Sequence, residues 1–79
     1  MTEVRLPTLA EGVDMAVVSF WHKDLGEDVK EGDDLVEMLT DKATFNVPSP
    51  VSGKLSRLLV EEGEEVKVGT LIAEIEEAR

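Results

Sequence analysis

Slid along itself by 37 positions, the chain matches itself: GEDVKEGDDLVEM at 26–38 falls on GEEVKVGTLIAEI at 63–75. Gly26, Glu27, Val29, Lys30, Gly32 and Glu37 coincide with Gly63, Glu64, Val66, Lys67, Gly69 and Glu74, while Leu35 meets Ile72 and Met38 meets Ile75. Upstream, the same offset brings Val18 onto Leu55, Ser19 onto Ser56 and Trp21 onto Leu58. One supersecondary unit is used twice, and internal repetition of this kind constrains a fold more than any single motif. Each copy reads as a strand, a glycine turn, a very short strand at Val29 or Val66, a second glycine turn and a longer strand. Glycine and proline recur too often for helices of ordinary length, and the apolar residues alternate rather than recurring at three and four. The imperfect alternation over 17–23 implies a bulge.

Two such copies about an approximate two-fold predict an all-β fold, a flattened barrel or sandwich of two small antiparallel sheets. Val18, Trp21, Val36, Met38, Val47, Leu55, Leu58, Val66, Ala73 and Ile75 are its expected filling. Within the first copy, residues 36–47 form a mirror. Thr40 faces Ala43, Met38 faces Phe45 and Val36 faces Val47, so the pattern reflects between Asp41 and Lys42. A period-2 pattern reflected about two polar residues marks a hairpin with a two-residue loop. Lys42 is therefore expected at its tip, in water. The repeat equivalent of Lys42 is Arg79, so a tether at the C-terminus would hold Lys42 at the far end of the molecule.

With 79 residues the chain suffices for one small domain, expected to span 1–79, near the lower limit of what one core can stabilise. It holds no cysteine, so no disulfide or cysteine-based zinc site supports that core and nothing indicates an oxidising compartment. The formal charge of −10 opposes association with nucleic acid or with an anionic membrane surface. No apolar run approaches the roughly 20 residues that cross a bilayer, and Met1-Thr2-Glu3 does not resemble a targeting segment. A cytoplasmic location is expected, or the mitochondrial matrix if a presequence has been removed.

Reacting groups are few. The single histidine, His22, lies in an apolar stretch where a structural role is expected, and nearness of Ser19, His22 and Asp24 in sequence does not make a triad. The paired carboxylates Glu61-Glu62, Glu64-Glu65 and Glu76-Glu77 read as solvated turns and edges. Asp33-Asp34 lacks the spacing of a calcium loop, and the dispersed glycines form no phosphate loop. What remains is a scaffold presenting one amine.

The residues TDKA at 40–43, with LPTLAEGV at 6–13, VPSPVSG at 47–53 and GEEVKVG at 63–69, resemble the lipoyl domain of the acyltransferase component of 2-oxo acid dehydrogenase complexes. The resemblance covers nearly the whole chain. It implies that Lys42 carries lipoic acid as an amide, with Asp41 and Ala43 as flanking recognition residues, and that the domain is a non-catalytic carrier. The arm would take an acyl group from a thiamine-dependent 2-oxo acid decarboxylase, deliver it to coenzyme A at the acyltransferase core, and be reoxidised by dihydrolipoamide dehydrogenase. Lipoate ligase or lipoyl synthase would install it. Three departures touch the pattern: Leu39 stands where an acidic residue is usual, Ala10 where glycine is usual, and Met15-Ala16 replace Glu-Gly. By the alternation Leu39 faces outward, a possible contact with a partner enzyme. Two alternatives share the fold: a biotinyl domain, whose lysine is flanked by methionines where this chain has Asp41 and Ala43, and an unmodified binding module, which lacks the tip lysine.

Overall fold

The computed structural model describes residues 1–77. Eight strands, β1 (Thr2–Arg5), β2 (Met15–Trp21), β3 (Asp28–Val29), β4 (Asp34–Leu39), β5 (Thr44–Pro48), β6 (Gly53–Leu58), β7 (Glu65–Lys67) and β8 (Leu71–Glu77), form two antiparallel sheets. Their orders are β1-β8-β6-β3 and β5-β4-β2-β7. The fold is the all-β sandwich predicted from the repeat.

The duplication extends to individual bonds. Val17 pairs with Leu39, Val18 with Met38, Phe20 with Glu37 and Trp21 with Val36; the equivalents Lys54–Glu76, Leu55–Ile75, Arg57–Glu74 and Leu58–Ala73 pair identically. The bulge expected in 17–23 falls between Val18 and Phe20, and recurs between Leu55 and Arg57. Each short strand crosses to the other copy's sheet, β7 onto β2 and β3 onto β6. The loops reciprocate: the amide of Gly26 donates to the carbonyl of Leu55 at 2.7 Å, and that of Gly63 to the carbonyl of Val18, also at 2.7 Å. Because these bonds run between copies, neither half can be removed without leaving the other's backbone groups unpaired.

β1 completes the second copy by standing where β5 stands in the first. Val4 pairs with Ala73 as Val47 pairs with Val36. In both places the ladder shifts register by one residue, so that Leu35 and Ile72 are the unpaired bulge residues. A bulge breaks strict alternation. Leu35-Val36 and Ile72-Ala73 therefore all point inward and are fully buried. Alternation alone had missed Leu35 and Ile72 as core, together with Val4, Leu6, Val13, Ala16, Val29 and Val60. Trp21 and Leu58, expected as filling, instead pack at the core's edge half-buried, where the Trp21 ring nitrogen donates to the carbonyl of Val60 at 3.0 Å. Lys67 ends β7.

The path of β4 separates two ends of the sandwich. Before its start, the amide of Glu31 donates to Ser52 Oγ at 3.0 Å, and Asp28 pairs with Lys54, which pairs with Glu76. β4 thus begins where β8 finishes and runs away from it to the hairpin. Lys42 lies at the opposite end of the sandwich from Glu77; its equivalent Arg79 lies outside the described residues.

Candidate functional site: the β4–β5 hairpin tip

The hairpin follows the mirror: Leu39 pairs with Thr44, Met38 with Phe45 and Val36 with Val47. Its two-residue loop is closed in an unusual way. Tight two-residue loops favour primed turns, whose backbone needs positive φ at the first loop residue or at both. Among the described residues every positive φ belongs to a glycine, and the loop holds Asp41 and Lys42. Thr40 closes the turn instead. Its amide donates to the carbonyl of Ala43 at 2.9 Å, and its hydroxyl Oγ1 donates to the same carbonyl at 2.9 Å. The same oxygen accepts from the amides of Lys42 at 3.2 Å and Ala43 at 3.0 Å. One hydroxyl thus satisfies the backbone on both sides of Lys42, a local role suited to threonine. The pattern of apolar residues does not reveal this, although a hydroxyl residue just before a two-residue loop is a readable signal.

Asp41, Lys42 and Ala43 are all exposed, as is Leu39. Among the described residues Lys42 takes part in no salt bridge. The other lysines are placed differently. Lys23 reaches Glu27 at 3.5 Å and Asp33 at 3.8 Å, Lys54 lies within β6 between Asp28 and Glu76, and Lys30 follows β3. Lys42 alone projects from a hairpin loop.

Beside the tip runs the loop of residues 6–14, held down by buried Leu6 and Val13 and by a turn in which the Val13 amide donates to the carbonyl of Ala10 at 3.1 Å. Gly12 in that turn has φ 79°, a backbone shape that side chains resist. A Cβ on Gly12 would lie 3.5 Å from Lys42 Nζ, so the amine stands close beside this loop. A groove opens there, lined by Gly12, Val13, Met15, Val17, Leu39 and Thr40 among others. The tip can offer a modifiable amine on an exposed loop whose backbone the Thr40 hydroxyl braces.

His22 lies one residue beyond β2, exposed, with Nε2 2.9 Å from Asn46 Oδ1 and its ring edge-on to Phe20 at 5.3 Å. Asp33 accepts from the Lys30 amide at 2.9 Å and so serves a turn. Neither is brought to the hairpin tip.

The family described as biotin-requiring enzymes, the biotin/lipoyl attachment family, matches residues 2–75. The chain belongs to that family. It is 49% identical over 75 residues to the dihydrolipoyllysine-residue succinyltransferase component of the 2-oxoglutarate dehydrogenase complex of Bartonella vinsonii subsp. berkhoffii, covering 95% of this chain and 18% of that protein. It is 38% identical over 77 residues to the dihydrolipoyllysine-residue acetyltransferase component of the pyruvate dehydrogenase complex of Corynebacterium glutamicum, covering 98% of this chain and 11% of that protein. The chain thus spans less than a fifth of the length of these relatives. The solution structure of the lipoyl domain of the 2-oxoglutarate dehydrogenase complex from Azotobacter vinelandii superposes over 100% of both chains with a TM-score of 0.79 and 29% identity. The lipoyl-domain resemblance read from TDKA and its flanking motifs therefore holds in both sequence and fold.

Proposed function

We propose that this chain is a lipoyl carrier domain whose Lys42 is joined to lipoic acid through an amide on Nζ, and that it serves a 2-oxo acid dehydrogenase complex. The observation that carries the reading is the placement of Lys42: an exposed amine in a two-residue loop braced by the Thr40 hydroxyl. The site suits the group. A lysine stem extends a dithiolane far from a rigid body, and a tip reachable without unfolding lets several enzymes address it in turn. When bound, the lipoyl group supplies a disulfide that can be reductively acylated and reoxidised. The chain's own residues hold and present: Thr40 fixes the turn, and Asp41 and Ala43 flank the amine for recognition by lipoate ligase or lipoyl synthase. The domain contributes no catalytic residue in this reading. Its partners are a thiamine-dependent decarboxylase, an acyltransferase core and dihydrolipoamide dehydrogenase, in the cytoplasm or mitochondrial matrix.

Incubation with lipoate, ATP and a lipoate ligase tests this. The chain is expected to gain one lipoyl amide by intact mass, mapped to Lys42, while Lys42→Ala gains none. Efficient biotinylation at Lys42 without lipoylation would move the chain to the biotinyl class. Modification of neither kind by competent ligases would leave an unmodified binding module.

A further inference from the structure

The groove beside Lys42 has a twin. The 37-residue offset carries Met15, Ala16, Val17, Leu39 and Thr40 onto Ser52, Gly53, Lys54, Glu76 and Glu77, and those residues line a second groove at the other end of the sandwich. The paired strands are equivalent and stand at the same place in the repeat, Val17–Leu39 matching Lys54–Glu76, but the chemistry is opposite: the outward side chains Met15, Val17 and Leu39 correspond to Ser52, Lys54 and Glu76. The backbone therefore does not demand apolar residues at these outer positions. Leu39 and Val17 are cross-strand partners, and Met15 stands two residues along β2 on the same face, so the three form one strip. Met15 and Leu39 are 37% and 48% exposed, and neither contributes to the core.

We propose that this strip is a resting site for the lipoyl arm of Lys42, so that the arm alternates between a seated and an extended state. The proposal rests on the lipoylation reading above. Its occupant is argued from position and charge. Lys42 Nζ stands 3.5 Å from where a Cβ on Gly12 would lie, and Gly12 lines the groove, so an amide formed there begins beside it. The methylene chain and dithiolane are apolar and uncharged, whereas a second copy would bring another net charge of −10 toward the same rim, which includes Asp14, Asp41 and Glu65. A group tethered at one end meets its site at an effective concentration of about millimolar, so weak apolar contact seats it for a substantial share of the time. Seated, the dithiolane is partly shielded; a partner enzyme that covers Leu39 and Met15 would displace it and release the arm toward its own active site.

The test uses the singly lipoylated chain, with intact mass and mapping as the entry condition; failure to lipoylate would reject the carrier reading itself, separately from this one. In methyl NMR, lipoylation is expected to move the resonances of Met15, Val17 and Leu39, independently of protein concentration, with nuclear Overhauser contacts from the arm to these methyls. The Nζ amide proton, visible once acylated, reports arm mobility through its heteronuclear Overhauser effect. Met15→Lys/Leu39→Lys is expected to remove the remaining contact to Val17 and to make that amide more mobile, with the spectrum of the opposite groove unchanged. Shifts confined to 40–44, or an amide equally mobile in wild type and double variant, would overturn the proposal. So would shifts that grow with concentration, which assign the strip to a second copy, or a double variant that alters only acyl loading by the decarboxylase, which assigns Leu39 to the enzyme contact.

Discussion

The two copies of the unit share most of the residues that face inward or close the glycine turns, and differ more on the outer face. Phe20 and Arg57 show this on equivalent strands. Each lies just past the same bulge opposite a glutamate, but Arg57 reaches Glu74 at 3.1 Å while Phe20 stands 52% exposed beside Glu37. The ends differ in backbone as well. The β6–β8 ladder continues one pair beyond Lys54–Glu76, to Gly53–Glu77, whereas β2–β4 stops at Val17–Leu39 and Thr40 turns away into the hairpin. Both ends carry a groove, but the extra pair holds β6 and β8 together at one, and at the other the chain leaves the ladder one pair earlier to form the hairpin loop. Duplication supplied a symmetric core, and a single omitted pair lets one end present an amine.

The largest expected effect breaks this contrast at the end with the extra pair. In β6, a Cβ on Gly53 would lie 2.2 Å from the carbonyl oxygen of Glu76 and 2.9 Å from Glu77 Cα, both backbone atoms of the zipped ladder. Its equivalent Ala16 carries a Cβ without conflict because that ladder has already ended. Gly53→Ala is therefore expected to lower stability by about 2–3 kcal/mol through forced separation of β6 and β8. Ala16→Gly, which only removes a buried methyl and loosens the chain, should cost about 1 kcal/mol. Urea unfolding midpoints compare them; equal losses would mean that the extra pair does not distinguish the two ends.

A smaller stability effect is expected at the hairpin end, with a larger functional one. Thr40→Val removes a hydroxyl engaged with the amides of Lys42 and Ala43 and the carbonyl of Ala43, at an estimated cost of about 1 kcal/mol because the turn remains accessible to water. Lipoylation by limiting ligase should slow, and Thr40→Ser, which keeps the oxygen, should restore most of the rate. Lys42→Ala, by contrast, should shift stability by less than about 0.5 kcal/mol, since an exposed tip side chain has little packing to lose. If Thr40→Val left the ligase rate unchanged, the hydroxyl would serve stability alone.

How much of this was legible follows from which interactions leave a period in sequence. Backbone pairing does: the mirror about Asp41 and Lys42 gave the β4–β5 register over 36–47, the 37-residue offset gave the two sheets, and the imperfect alternation over 17–23 gave the bulge near Val18. Leu35 and Ile72 were hidden because a bulge adds a residue to one strand only, so both they and their neighbours turn inward against the alternation. Trp21 was overestimated because its ring nitrogen seeks a carbonyl at the rim, which holds it short of full burial. At the site, Lys42 and the outward Leu39 followed from the pattern, while Gly12 beside the amine did not. That approach joins two segments 30 positions apart in the chain, through a loop whose shape no alternation records.

The smallest expected effect lies in the acidic turns, where the copies again match and then diverge. Glu27 Oε1 accepts from the Asp24 amide at 3.0 Å, and Glu64 Oε1 accepts from the Glu61 amide at 3.3 Å, each reaching back three residues in the same turn. Among the described residues only the first is in an ion pair: Lys23 stands 3.5 Å from Glu27, while the residue equivalent to Lys23 is buried Val60. The Asp24 amide first, and Lys23 second among the favourable contacts, hold the Glu27 carboxyl below its ordinary 4.5. A carboxylate whose folded value is depressed adds stability above the unfolded value and loses it as pH falls through the folded one. The contribution of Glu27 is therefore present at neutral pH and fades on acidification below 4.5. Glu27→Gln should flatten the acid limb of the stability curve slightly and leave the neutral limb nearly parallel to wild type, because an exposed group is well screened. Carbon-detected NMR titration is expected to place the Glu27 midpoint below 4.5, and Lys23→Gln to raise it only in part, leaving the share due to the Asp24 amide. A midpoint that returned fully to 4.5 in Lys23→Gln would make the ion pair, not the duplicated turn, the source of the shift.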